Sequence, residues 1–209
     1  MKTESLGGFD RFRVPAALLV IAIHTGPLLS LNGEANYLLT DILARIAVPF
    51  FFSVSGCFLV PRLLREGRAA LIPFVKKLLL LYGAAALLYL PLNLYNHTLE
   101  ESGFALLRDV FFNGTFYHLW YFPALVLGAC LVYGLLRILG PRWAWLPALL
   151  LYAAGLLGDS YFGLTAALPP LRAGYEALFL LFDYTRNGLF FGVLFVALGM
   201  ALADQNRVE

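Results

Sequence analysis

FDRFRVPAALLVIAIHTGPLLS, from Phe9 to Ser30, is the stretch whose reading decides the fold. It is an apolar run with a charged Asp10-Arg11-Phe12-Arg13 entrance and one histidine, His24, inside it. An ionisable side chain in hydrocarbon costs roughly 2.5–3.5 kcal/mol on insertion scales, so a purely lipid-facing helix has no use for one. Arg13 and His24 are eleven residues apart. At about 100° per residue, that spacing returns His24 to within about 20° of the Arg13 face, about 16 Å further along the axis. One helix face therefore carries a fixed cation near its entrance and a titratable imidazole near mid-membrane. The remaining segments read as walls and lids around that face.

Composition agrees with a membrane setting. The chain has 209 residues, 61% hydrophobic and 13% charged, with a mean hydropathy of +0.78. Soluble domains carry about 25% charged residues. The sequence predicts an integral membrane protein, all-α, with no room for a soluble domain of ordinary size. A net charge of +2 is too small to suggest a nucleic-acid partner. Cys57 and Cys130 both lie in apolar runs, which gives neither a disulfide framework nor metal-ligand spacing. The first apolar run is too long for a signal peptide, contains His24 and two prolines, and is followed by no small-residue cleavage site.

Outward from the first segment, the pattern predicts a polytopic bundle of about six transmembrane helices, each near the ~20 residues a bilayer core requires. The spans read as Phe12–Leu31, Asp41–Val60, Lys76–Tyr95, His118–Leu139, Trp143–Leu157 and Arg186–Ala203. Asn32 to Asn36 reads as a polar turn, Phe104 to Phe112 as a short interfacial helix, and Tyr175 to Phe182 as another short helix. Small residues in LYGAAALLYL, LVYGLL and LLYAAGLL favour close helix packing, so these segments read as scaffold.

Lysines and arginines set the orientation. Lys2, Arg11, Arg13, Arg62, Arg65, Arg68, Lys76, Lys77, Arg137, Arg142 and Arg207 fall on one side; Arg108, Arg172, Arg45 and Arg186 fall on the other. Eleven against four places both termini in the cytoplasm. Tyr37, Tyr117, Trp120, Tyr121, Trp143 and Trp145 fit aromatic belts at span ends.

Within spans, every polar side chain needs a partner or a water-lined cavity. His24 reads as a general base, or as a histidine bonded to a neighbouring helix. Arg13 reads either as an anion-binding group or as a snorkelling anchor. Lys76 and Lys77 serve as positive-inside residues or as phosphate holders. Arg45 and Arg186 bind a ligand, or pair locally with Asp41 and Asp183 at helical spacing. Ser55 falls toward the cytoplasmic side, and His118, Trp120 and Tyr121 toward the external one. His118-Leu119-Trp120-Tyr121 can equally be belt residues. Asn96-His97-Thr98 and Asn113-Gly114-Thr115 fit the glycosylation sequon, a pattern without meaning in a bacterium.

Arg13 and His24 with ten residues between them, preceded by Asp10, resemble the Arg-x10-His signature of the acyltransferase-3 membrane proteins. Phe51-Phe52-Ser53-Val54-Ser55-Gly56-Cys57-Phe58-Leu59 is similar to that family's FFxxSGxFL segment. His118-Leu119-Trp120-Tyr121, Thr185-Arg186-Asn187-Gly188-Leu189-Phe190-Phe191 and Arg45-Ile46-Ala47-Val48-Pro49-Phe50 resemble most the membrane domain of the membrane-bound serine racemases of vancomycin resistance, a branch of the same superfamily. The resemblance covers the whole chain, 1–209, as one domain.

It implies transfer of an acyl group, commonly acetyl, from cytoplasmic acyl-CoA to a hydroxyl on a glycan, a lipid-linked sugar or a similar acceptor. By that resemblance His24 is the base and Arg13 serves the donor, with Lys76 and Lys77 at its phosphates. Arg45, Trp120 and Arg186 are expected to line the acceptor side, with Ser55, His118 and Tyr121 as further substrate-binding residues. The implied setting is a multi-pass protein of the bacterial inner membrane, using no metal. Family members commonly have about ten spans, so the chain is expected to be a C-terminally short member. A second reading is an amino-acid-permeating module, with Arg45 and Arg186 on a carboxylate. A third is an inactive fragment that assembles with a missing C-terminal half or with its own copies.

Overall fold

The computed structural model describes residues 7–97 and 102–205. Lys2 and Arg207 of the orientation argument, and Thr98 of the first sequon, lie outside them. All regular secondary structure among the described residues is helical, with no strand.

Helix α1 (Gly7–Thr25) starts earlier than the apolar run suggests and stops sooner. Gly26 adopts φ +53°, a left-handed C-terminal cap that favours glycine, and Pro27 follows. Leu28–Leu31, expected to be helix, forms a turn. The stretch expected as a polar turn is instead the first turn of α2 (Gly33–Glu66). Asn32 caps it, its Oδ1 accepting from the Ala35 N–H at 2.9 Å. Two irregular turns interrupt α2, a wide π-turn at Leu38–Leu43 and a tight 3-10 turn at Ala44–Ile46, before a regular helix over Ala47–Glu66.

A single glycine, Gly67 at φ +57°, reverses the chain into α3 (Arg68–Tyr95). After α3 come α4 (Gly103–Arg108), a π-turn over Asp109–Asn113, α5 (Tyr121–Leu139) and α6 (Trp145–Gly158). The short helices α7 (Phe162–Ala166) and α8 (Pro169–Leu178) precede α9 (Gly188–Ala203). Asn187 caps α9, its Oδ1 accepting from Leu189 N–H at 2.9 Å and Phe190 N–H at 3.1 Å.

Three of these helices, α2, α3 and α5, are long and apolar enough to cross a membrane, and α6 and α9 are shorter apolar helices. The chain is a multi-pass membrane protein. α1 is apolar only past its first turns, because Asp10, Arg11 and Arg13 occupy them.

The packed centre lies where α2, α5 and α9 meet, around the fully buried Phe52, Val60, Val132, Val193 and Val196. Glycines bring the backbones together. A Cβ on Gly56 would overlap the Val196 carbonyl, and one on Gly199 would overlap the Cys57 backbone. This is the small-residue packing by which membrane helices associate without a hydrophobic driving force between them. α1 lies outside α2, with Phe12 edge-on to Phe50 at 4.9 Å. α3 is the most lipid-like element, with 11% of its most apolar window buried against 39% for α2 and α5.

Candidate functional site

The site grows from a turn that leans on α3. Gly114 sits at φ +88°, and its Cα is so close to the Trp120 amide that a Cβ would lie 2.5 Å from that nitrogen. The next residue, Thr115, is tied to α3 at both backbone groups. Its N–H donates to Tyr82 Oη at 3.1 Å, and its carbonyl accepts from Asn93 Nδ2 at 2.7 Å. So anchored, residues 116–118 project toward the end of α1. The His118 ring packs against Tyr89 at 4.7 Å, Phe116 at 4.9 Å and Tyr117 at 4.9 Å, each close to perpendicular. Its Nδ1 and the Thr115 Oγ1 are buried without a hydrogen-bond partner.

His24, in the last turn of α1, completes the cluster. Its ring centroid lies 5.2 Å from Tyr117 and 5.4 Å from His118. The His24 side of the pair is exposed, while His118 is half-buried. Two imidazoles, each able to accept or donate one proton, thus stand side by side against an aromatic wall.

Arg13 lies near the other end of α1. It pairs with Asp10 at 2.8 Å and stacks over the Phe58 ring at 5.5 Å, so its charge is partly answered by its own helix.

Ser55, Trp120 and Tyr121 gather around Phe52 in the α2–α5–α9 centre. Ser55 Oγ donates to the Phe51 carbonyl at 2.8 Å. Phe52 lies 4.9 Å from Tyr121, 6.3 Å from Trp120 and 5.6 Å from Phe191.

The remaining cations stand apart from the histidines. Arg45 is exposed and pairs with Asp41 at 2.8 Å, the helical-spacing partner that the sequence offers. Arg186 pairs with Asp159 at 2.9 Å rather than with Asp183, and its guanidinium lies 5.6 Å from the Tyr184 ring centroid. That pair lines a cavity of about 120 Å³ with Tyr152, Ser160 and Thr185. Asp183 is taken by Arg108 at 3.2 Å, which also holds Asp109 at 3.1 Å. Asn113 locks this junction, donating to Asp109 at 3.1 Å and accepting from the Asp183 N–H at 3.1 Å. It is buried, so the second sequon is a structural asparagine. Burial first, then the Asp183 carboxylate, push the Tyr184 hydroxyl up.

Lys76 lines a groove between α3 and α5 to which α1 contributes no residue, and Lys77 is exposed. Among the described residues no group of three or more His, Cys, Asp or Glu could hold a metal ion. Sequence reasoning missed Asp159, Arg108, Asn113 and Tyr89, each of which has a partner on another element far away in sequence.

Residues 6–208 match the acyltransferase-3 family, described as an acyltransferase domain, and the chain belongs to that family. It is 44% identical over 205 residues to an amino-acid racemase of Enterococcus faecalis, covering 97% of this chain and 29% of the relative. It is 42% identical over 210 residues to a serine/alanine racemase of Enterococcus gallinarum, covering 96% and 29%. A further amino-acid racemase of Enterococcus faecalis is 41% identical over 199 residues, covering 92% and 28%. The chain therefore spans less than a third of the length of these curated relatives. No solved structure matches it.

Proposed function

We propose that the chain is an integral-membrane acyl-transfer module of the bacterial inner membrane. It takes an acetyl or similar acyl group from cytoplasmic acyl-CoA and passes it to a hydroxyl of a glycan, a lipid-linked sugar or a related envelope acceptor. The observation that carries this reading is the His24–His118 pair, with rings 5.4 Å apart and the His24 side exposed. Acyl transfer to a hydroxyl needs a base with a pKa near the working pH and a second polar group at the developing oxyanion. His24 removes the hydroxyl proton as the oxygen attacks the thioester carbonyl. The carbon–sulfur bond then breaks, and the leaving thiolate takes the proton back from the His24 imidazolium, releasing free coenzyme A. His118, held by its aromatic neighbours, is the group aimed at the carbonyl oxygen.

Arg13 is assigned to the donor side, where exchanging Asp10 for a coenzyme A phosphate gives a stronger, bidentate contact. In this reading α1, α6 and α9 join α2, α3 and α5 to make six crossings, with both termini cytoplasmic. The positive-inside distribution supports that orientation.

The test uses inverted membranes that carry the chain and labelled acetyl-CoA, with label followed into lipid-extractable and glycan fractions. Transfer lost in His24→Ala supports the proposal. Folded protein that neither binds donor nor transfers label rejects it.

A second reading is favoured by one specific observation: the relatives are amino-acid racemases at 41–44% identity. In that reading the module handles a small amino acid. The Asp159–Arg186 pair in its ~120 Å³ cavity would exchange partners with the ligand's ammonium and carboxylate. Arg45 fits this role less well, since Asp41 already holds it on an exposed surface. Uptake of labelled serine into vesicles, lost in Arg186→Gln but kept in His24→Ala, would select this reading over acyl transfer.

A further inference from the structure

Lys76 occupies an odd place. It stands on the stripe of α3 formed by Ile72, Val75, Leu79 and Leu80, where helical spacing would put another apolar residue. With Cys130 of α5, that stripe walls an open groove of about 500 Å³. Among the described residues, Lys76 is the one charged residue lining it.

Among the described residues, neither helix walling the groove carries a carboxylate to answer the charge. α3 contains no Asp or Glu along Arg68–Tyr95, and α5 contains none along Tyr121–Leu139. Glu66, just before Gly67, is engaged by Arg62 at 3.7 Å and Arg65 at 4.0 Å. Lys76 makes no ion pair among the described residues. Arg68, Lys77 and Arg137 add further cations to the two helices.

A groove with an apolar floor, a cation in its wall and no anion of its own is complementary to an anionic amphiphile. A packed protein helix would have to bring a carboxylate to the same depth. A nucleotide would meet an apolar floor that its bases and phosphates cannot use. We infer that the groove between α3 and α5 binds an anionic phospholipid, its headgroup phosphate on the Lys76 ammonium and one acyl chain running from there along Leu79 and Leu80 beside Cys130. Lys76 to Leu80 spans about 6 Å of helix at ~1.5 Å per residue, enough for the part of one acyl chain nearest the headgroup. The site is separate from the histidine pair and holds whichever function proposed above is correct.

Cys130 supplies the probe. It is exposed in the groove wall, and the chain's other cysteine, Cys57, is buried. The full chain, labelled at Cys130 with bimane, is placed in nanodiscs containing phosphatidylcholine or phosphatidylglycerol with brominated acyl chains. Phosphatidylglycerol should quench at about fivefold lower mole fraction, the equivalent of ~1 kcal/mol for one cation beside an anionic lipid surface.

Lys76→Gln should remove that preference, while Lys76→Arg and Lys77→Gln keep it. Inorganic phosphate, which has no chain, should not compete. Equal quenching by the two lipids overturns the proposal, as does equal loss of preference in Lys77→Gln, which would signal diffuse surface charge. Absence of quenching by either lipid means that protein covers the groove, and overturns it as well. Competition by inorganic phosphate would reduce the site to an ion site without an acyl subsite.

Discussion

His24 and His118 stand with ring centroids 5.4 Å apart, one at the end of the first helix and the other before α5. Neither is placed by its own segment. Gly26 ends α1 two residues after His24, and the Thr115 backbone bonds to Tyr82 and Asn93 hold the 114–118 turn that puts His118 against it. The pair is therefore a product of three elements, α1, α3 and the 114–118 turn.

If the pair acts as proposed, its two members fail differently. His24→Ala should lower acyl transfer by about a hundred- to ten-thousandfold, the usual contribution of a positioned base. His118→Asn should lower the rate by about tenfold or more while leaving donor binding unchanged. Initial rates and acyl-CoA binding on inverted membranes measure both.

The α2–α9 contact should be intolerant of a single methyl group. Gly56→Ala must push α2 off the Val196 carbonyl, an overpacking cost of about 1–3 kcal/mol. Gly83→Ala and Gly134→Ala meet nothing within 4 Å and should be neutral or slightly stabilising. Thermal unfolding in detergent separates the two groups.

Arg108 holds two carboxylates from different parts of the chain at 20% side-chain exposure. Arg108→Met leaves Asp109 and Asp183 facing each other with that cation gone. It should destabilise the protein by about 1–2 kcal/mol, less than a fully buried pair because solvent reaches the site. Asp183→Asn in the same background should recover part of the loss, a coupling that a double-mutant cycle reads directly.

Tyr175, on α8, donates its hydroxyl to the Ala154 carbonyl at 2.6 Å, and burial pushes that hydroxyl up from 10.0. The folded state holds the proton more tightly than the unfolded chain. Its contribution is fully present below pH 10 and is lost as pH rises through the folded value. Tyr175→Phe should lower stability near neutral pH by about 1 kcal/mol for the lost hydrogen bond, and should flatten the alkaline decline. Unfolding curves collected between neutral and strongly alkaline pH check both effects.

Much of this architecture was legible from residue order alone. Apolar runs of bilayer length announced a helical membrane protein. They also suggested a mid-membrane His24, whereas the structure leaves it exposed in the last turn of α1, because Gly26 ends that helix two residues later. Local chemistry also carried the Asp41–Arg45 pair, since both residues lie on one helix at hydrogen-bonding spacing. Helix ends were less legible. The polar stretch at Asn32–Asn36 looked like a turn but is capped helix, because Asn32 satisfies the first free amide and the backbone can then wind on through Glu34 and Asn36.

What residue order could not supply was the choice of neighbour across the bundle. Periodicity fixes which face of a helix is apolar, but many helices could pack there with similar burial. Only the tertiary structure decided that Arg186 turns to Asp159 while Arg108 takes Asp183. It also put Lys76 on a groove away from α1, and His118 beside His24. Those partners are set by close glycine contacts and by single backbone hydrogen bonds such as those of Thr115. Such interactions depend on distances of a few ångströms between segments far apart in sequence, and they leave no period in the chain to be read.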